Sequence, residues 1–436
     1  MKFYNRESEL KILGDLASQS QTVSRMTFIV GRRRIGKTAL IKEAYKNASL
    51  IYLFVSKKNE VLLCSEFKDS IEAITGERIY GNFTRFSELF AYLIKLSREK
   101  PITLAIDEFQ DFERVNSSIY SEMQNIWDAN KNESKMNLIL CGSLYSMMKK
   151  IFENKKEPLF GRADRKIHLK PFNVEVLKQI IKDNYPDASE EDILTFYMIT
   201  GGIAKYVELL VNERVFAKDD VLNYVFSDHS LFLEEGKNLL IEEFGKEYGT
   251  YFSILSLLAN SKTSRSEIES ILEKDIGGYL DKLENEYSII KKIKPVLAKP
   301  SSRVQKYFID DNFLNFWFRY IYSYNSAIEI ENFDLVKSIV KNDMRTYFGR
   351  LLEKYFKEKL SLSKEYGLIG SYWEAGNQNE IDIIALNELE KKVLIAEVKL
   401  NPEKISIPEL KYKASKLKES FKKYKIQYKG FSLKDI

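Results

Sequence analysis

Two stretches carry side chains whose types and spacing suit phosphate chemistry. Gly31–Thr38 reads GRRRIGKT and fits G-x-x-x-x-G-K-[ST]. Gly31 and Gly36 let backbone N–H groups approach phosphate oxygens without a Cβ clash. Lys37 offers an ammonium to β- and γ-phosphates, and Thr38 a hydroxyl to Mg²⁺. The expected cradle is Gly31, Arg32, Arg33, Arg34, Ile35, Gly36, Lys37, Thr38 and Ala39. Downstream, Asp107-Glu108 supplies one carboxylate to orient a metal shell and one to polarise an attacking water. The second stretch, residues 380–400, reads EIDIIALNELEKKVLIAEVKL and sets Asp382, Glu397 and Lys399 into two strand-like runs. Two carboxylates and a lysine on one strand face make either a solvated edge or a site for a hard divalent metal.

The elements needed to position these groups are also legible. Thr27–Val30 is a β-rich run before the glycine loop, and an apparent helix, TALIKEAYK, follows it. Ile102–Ile106 is an apolar strand ending at Asp107. Asn137–Cys141 is a third strand, ending in Gly142-Ser143, where Ser143 is expected to sense the γ-phosphate or simply to start a helix. In Val393–Leu400 one parity is wholly apolar, while the other begins with Val393 and Ile395 and ends with Glu397 and Lys399. Side chains two apart share a strand face, so Glu397 and Lys399 project together and Asp382 can meet them from the preceding strand. The blander reading is a sheet edge carrying a Glu–Lys pair.

The 436 residues imply about three domains. No apolar run approaches the ~18 residues of a membrane span. The start, MKFYNRESEL, lacks a signal-peptide core, and Cys64 and Cys141 are too sparse for a disulfide framework. A cytoplasmic protein without a membrane partner is expected. His168 and His229 are the only histidines, which argues against His-rich metal sites and Ser/His/Asp chemistry. Net charge is +5, with basic residues concentrated in Lys291–Lys306 and Lys411–Lys429.

The segments FYNRESEL, GRRRIGKT, LAIDEFQ, LILCGS and PLFGRADRKIHLKPF together resemble the AAA+-related archaeal ATPase family within the STAND class of P-loop NTPases. The resemblance implies an AAA+-like parallel sheet with a helical lid, ATP and Mg²⁺ as ligands, and a possible homo-oligomer. It also implies an arginine acting in trans on a neighbour's nucleotide, Arg162 first and Arg165 second; the alternative for either is a salt bridge. TGGIAKYVELL looks like the lid, with Lys205 where many AAA+ relatives offer a sensor arginine.

Beyond the lid, YFSILSLLAN, SRSEIESILEK and IGGYLDKLENEYSII read as three short helices before a hairpin, the order of a winged helix. Its wing would carry Lys291, Lys292, Lys294, Lys299, Arg303 and Lys306, for DNA phosphates or as a packing module. The aromatic run Asn312–Tyr324 is expected in an interdomain core helix, with stacking on bases as the alternative. The C-terminal part resembles the PD-(D/E)xK restriction-endonuclease-like core: Asp382 as first acid, Glu397-Val398-Lys399 as E-x-K, Glu353 on the leading helix as an added acid, and a basic helix near the end. Ile381 stands where that pattern has proline.

The expected fold class is multidomain α/β. Residues 1–171 form the P-loop ATPase domain, 172–238 the lid, 239–328 the winged helix and 329–436 the nuclease-like domain. Expected metal ligands are Thr38, Asp107, Glu353, Asp382 and Glu397. The expected function is an ATPase acting on nucleic acid, DNA favoured, with a Mg²⁺-dependent nuclease-like domain. The alternatives are an ATP-switched signalling protein or a DNA-binding regulator with an inactive nuclease-like domain.

Overall fold

The computed structural model describes residues 1–299, 302, 304–374, 376 and 379–436. The chain divides into two compact units, one of Tyr4–Pro171 and one of Met1–Phe3 with Phe172–Ile436. Among the described residues, no helix is long and apolar enough to cross a membrane.

The unit of Tyr4–Pro171 is built on five parallel strands: β1 (Arg25–Val30), β2 (Leu50–Phe54), β3 (Ile102–Asp107), β4 (Met136–Gly142) and β5 (Arg165–His168). Their order is β2-β3-β4-β1-β5. Helices cover a parallel sheet on both faces, so its central strands read as unbroken apolar runs. Accordingly β4 is buried from end to end, and Phe28 of β1 stacks on Phe152 at 4.5 Å. Parallel strands all end at the same edge. Because β4 lies between β3 and β1, the loops bearing Gly31, Asp107-Glu108 and Ser143 become neighbours, the usual ligand edge of an α/β sheet.

The second unit opens with helices Val174–Asn184, Glu190–Thr200, Ala204–Asn212 and Lys218–Val225. Ser189 caps the second reciprocally with Asp192, each side chain bonding the other's backbone N–H. Helices Tyr248–Ala259, Arg265–Leu272 and Gly277–Asp281 follow, the last widening into a π turn at Lys282–Glu286. They lead into the antiparallel pair β6 (Ile290–Ile293) and β7 (Lys306–Ile309). The hairpin's cations meet acids: Lys291 pairs with Asp310 at 2.8 Å, Lys292 with Glu284 at 3.1 Å and Lys306 with Glu380 at 3.4 Å. Arg303 lies outside the described residues. In the aromatic run, Phe313, Phe316, Trp317, Phe318 and Tyr320 are buried, and Trp317 Nε1 donates to Leu233 O at 2.8 Å. Packing, not display, is the role of these rings.

The last sheet has the order β11-β10-β9-β8, with β8 (Leu368–Tyr372), β9 (Ile381–Asn387), β10 (Lys392–Lys399) and β11 (Lys425–Ser432). β8, β9 and β10 pair antiparallel, and β11 joins β10 in parallel. Helix Phe333–Leu362, capped by Asn332, packs across β8, β9 and β10. Helix Ile407–Ala414 packs on β9, β10 and β11. Val393 and Ile395 meet Leu410 and Ala414 in one core, and the opposite parity, Leu394, Ala396 and Val398, is buried as well. Burying each valine, leucine or isoleucine among them contributes about 1.5–3 kcal/mol, which fixes the register that presents Glu397. The basic stretch Lys411–Lys429 is divided between two elements, with Lys411 and Lys413 on helix Ile407–Ala414 and Lys425–Lys429 on β11. The cause is a period of two: Ile426 and Tyr428 are half-buried between exposed Lys425, Gln427 and Lys429.

Candidate functional site

The glycine loop leaves β1 and enters helix Lys37–Ala44. A Cβ on Gly31 would stand 2.7 Å from Leu169 O, and Gly36 turns at φ 96° into the helix, so both positions demand glycine. Ile35 is buried and anchors the loop, whereas Arg33, Arg34 and Ala39 are exposed and Arg32 is half-buried. Lys37 is buried, and its Nζ donates to Gly31 O (2.8 Å) and Arg32 O (3.3 Å), inside the curl of its own loop. Burial lowers its pKa, and the nearby Glu108 charge opposes that shift.

Asp107, at the end of β3, is buried and bonded at both oxygens. Oδ2 accepts from Thr38 Oγ1 at 3.1 Å and from the Tyr52 hydroxyl. Oδ1 accepts from Cys141 Sγ at 3.0 Å and from the Glu108 N–H at 2.9 Å. A hydroxyl and a carboxylate meeting this closely beside a phosphate loop form the hard-oxygen set that Mg²⁺ prefers. The sequence alone gives Tyr52 no role and marks Cys141 only as a sparse cysteine at a strand end, since each sits within an apolar strand. The signal available was that Tyr52 and Cys141 carry O–H and S–H donors toward the C-terminal ends of apolar runs that stop at the sheet's ligand edge. Burial, then Asp107, push the Tyr52 phenol and the Cys141 thiol up, so both stay protonated donors.

Glu108 sits in left-handed backbone at φ 52°. Its Oε2 accepts from Ser143 Oγ (2.8 Å), from the Ser143 N–H (3.3 Å) and from Gln110 Nε2 (2.6 Å). Thus Lys37, Thr38, Asp107, Glu108 and Ser143 form one constellation. Arg162 stands apart, donating from Nε and Nη2 to Asp128 at 3.1 and 2.9 Å and from Nη1 to Phe160 O. Arg165 is exposed and donates to Asp164 O. Lys205 pairs with Glu208 at 3.0 Å in the second unit.

In the C-terminal sheet, Asp382 lies on β9 and Glu397 and Lys399 on β10. Lys399 Nζ is 3.3 Å from Glu397 Oε1 and 3.9 Å from Asp382 Oδ2. Lys413 reaches Glu397 at 3.8 Å, and the Ser406 N–H donates to its Oε2 at 3.2 Å. Asp382 Oδ2 also accepts from the Val398 N–H at 2.8 Å, one step past the Ile383–Ala396 pair that ends the ladder. Glu353 on the long helix meets Lys357 at 3.4 Å. Among the described residues, no three His, Cys, Asp or Glu side chains converge to hold a metal. The expected set Glu353, Asp382 and Glu397 is therefore near one strand end but interleaved with Lys357, Lys399 and Lys413, which neutralise the carboxylates instead.

Burial drives the Glu353 carboxyl up to about 7, with Lys357 opposing and Asp382 adding to the shift. A carboxyl whose folded pKa lies above its unfolded value stabilises fully below the unfolded pKa, and that contribution fades as pH rises through the folded one. Wild-type stability is therefore expected to fall from about pH 4.5 to about pH 7 relative to Glu353→Gln. Denaturation midpoints of both proteins at four pH values across that window check this; parallel curves would contradict it.

Residues 3–210 match a family described as an ATPase domain predominantly from Archaea. Residues 317–420 match one described as Archaea bacterial proteins of unknown function. An uncharacterized protein of Methanocaldococcus jannaschii is 31% identical over 418 residues, covering 91% of this chain and 87% of its own. The Walker-type ATPase PABY2304 of Pyrococcus abyssi aligns at 20% identity over 72% of this chain and 96% of its own, with a TM-score of 0.53. The ORC2 protein of Aeropyrum pernix, solved in ADPNP–ADP complexes, aligns at 16% identity over 76% and 95%, also with a TM-score of 0.53. At such identities the two structures speak for the fold.

Proposed function

This chain belongs to the archaeal family of P-loop ATPases, and from that premise we propose that it couples ATP hydrolysis at Gly31–Thr38 to action on nucleic acid. The observation carrying the reading is the meeting of Thr38 Oγ1 and Asp107 Oδ2 at 3.1 Å beside an ammonium curled into the glycine loop. Loop amides and the helix N-terminus receive the phosphates, and Lys37 turns from its loop carbonyls to phosphate oxygens. Thr38 and Asp107 would hold Mg²⁺, which when bound neutralises charge on the phosphate oxygens. Glu108, released from Ser143, orients the attacking water and accepts its proton. Ser143 then faces the γ-phosphate. In a homo-oligomer Arg162 would leave Asp128 for a neighbour's nucleotide.

The division proposed for the rest is a lid over 172–238, a winged helix over 239–328 and a nuclease-like domain over 329–436. Supporting it are the three helices before β6 and β7, and Asp382, Glu397 and Lys399 at one strand end. There Asp382, Glu397 and Glu353 would hold Mg²⁺ once Lys357, Lys399 and Lys413 turn away from them, and Lys399 would then orient a water toward a scissile phosphate. With ATP and Mg²⁺ or Mn²⁺, the wild type is expected to cut some member of a panel of single-stranded, duplex and branched DNA and RNA. Asp382→Ala and Lys399→Ala should each lose cleavage by at least about 100-fold while retaining ATPase activity. A wild type that cuts none removes the nuclease part.

One observation favours a second reading, an ATP-switched binding module: Glu397 is already held by Lys399, Lys413 and the Ser406 N–H. Calorimetric Mg²⁺ titration of wild type and Asp382→Asn separates the two, because a binding module shows no heat that depends on Asp382.

A further inference from the structure

We propose that Tyr52 is a positioning residue for Asp107, its hydroxyl fixing the carboxylate oxygen that faces Thr38 and so shaping the cation subsite before nucleotide arrives. This rests on the ATPase reading above. In the parallel ladder of β2 and β3, Tyr52 lies opposite Ala105, and Asp107 lies opposite Phe54. Tyr52 and Asp107 therefore project from the same sheet face two positions apart, a gap of about 6.6 Å along a strand. Serine or threonine at 52 would fall short of that gap. Tyrosine spans it and ends in a donor.

The hydroxyl donates to Asp107 Oδ2 and stands 3.4 Å from Thr38 Oγ1, which donates to the same oxygen. Cys141 and the Glu108 N–H hold the other oxygen. With all four donors in place the carboxylate cannot rotate, so its orientation toward a cation at Thr38 is set by protein alone. Among these donors Tyr52 is the one whose hydroxyl can be removed with its ring packing left intact. Partners that orient a metal-facing carboxylate are typically worth about 10–100-fold in metal affinity.

The test is calorimetric binding of ADP and of a non-hydrolysable ATP analogue to wild type and Tyr52→Phe, in EDTA and across a range of Mg²⁺. The expected result is a Mg²⁺ midpoint raised about tenfold or more in Tyr52→Phe, with affinity in EDTA unchanged. An unchanged Mg²⁺ midpoint overturns the assignment. So does an equal loss of affinity in EDTA, which marks a packing role. A wild type that binds neither nucleotide sinks the ATPase reading, and this assignment with it.

Discussion

Lys37→Ala is expected to reduce ATP turnover by about 100- to 1000-fold, the usual loss when one fixed donor to transferring-group charge is deleted. The lysine is buried among Gly31 O, Arg32 O and the carboxylate end of β3, so water replaces its ammonium poorly. Binding should weaken alongside turnover, because the same ammonium meets the β-phosphate in ground state and transition state. Steady-state ATPase assays and nucleotide titration, with a melting curve to verify folding, read both effects. Near-normal turnover in that variant would refute the assignment of the loop.

Glu108→Gln should separate binding from chemistry. The glutamine has the same length and sits in the same left-handed backbone at φ 52°, so the strain of that position is unchanged. It can still accept from Ser143 Oγ but cannot take a proton from water. Turnover is expected to fall about 100- to 10,000-fold, with nucleotide affinity within about twofold of wild type. Single-turnover hydrolysis beside equilibrium binding decides it. If affinity collapsed together with rate, Glu108 would belong to the cradle and not to the water.

What the sequence made legible was contiguous. GRRRIGKT fixes its own geometry, because two glycines, a lysine and a threonine act within one loop and one helix turn. Asp107-Glu108 followed from a strand ending in acids, and Asp382, Glu397 and Lys399 from the period of two. Tyr52 and Cys141 were hidden because their relevance depends on which strands neighbour β3, and strand order is not written in any one segment. Arg162 illustrates the opposite case. Its motif suggested action at a distance, yet within its own unit it forms a two-nitrogen pair with Asp128. Near the C-terminus composition alone does not separate two elements: Lys411 and Lys413 lie on helix Ile407–Ala414, while Lys425 and Lys429 alternate with Ile426 and Tyr428 on β11.

Asp382 has a second employment that bears on how its variants are read. One carboxylate oxygen takes the Val398 amide just beyond the last paired residues, acting as a clasp on the hem of the sheet. Alanine there would undo the clasp as well as delete a proposed ligand, and frayed strand ends could pass for lost chemistry. Asparagine keeps an acceptor for that amide while discarding the negative charge, so the contrast between the two replacements tells tailoring from catalysis.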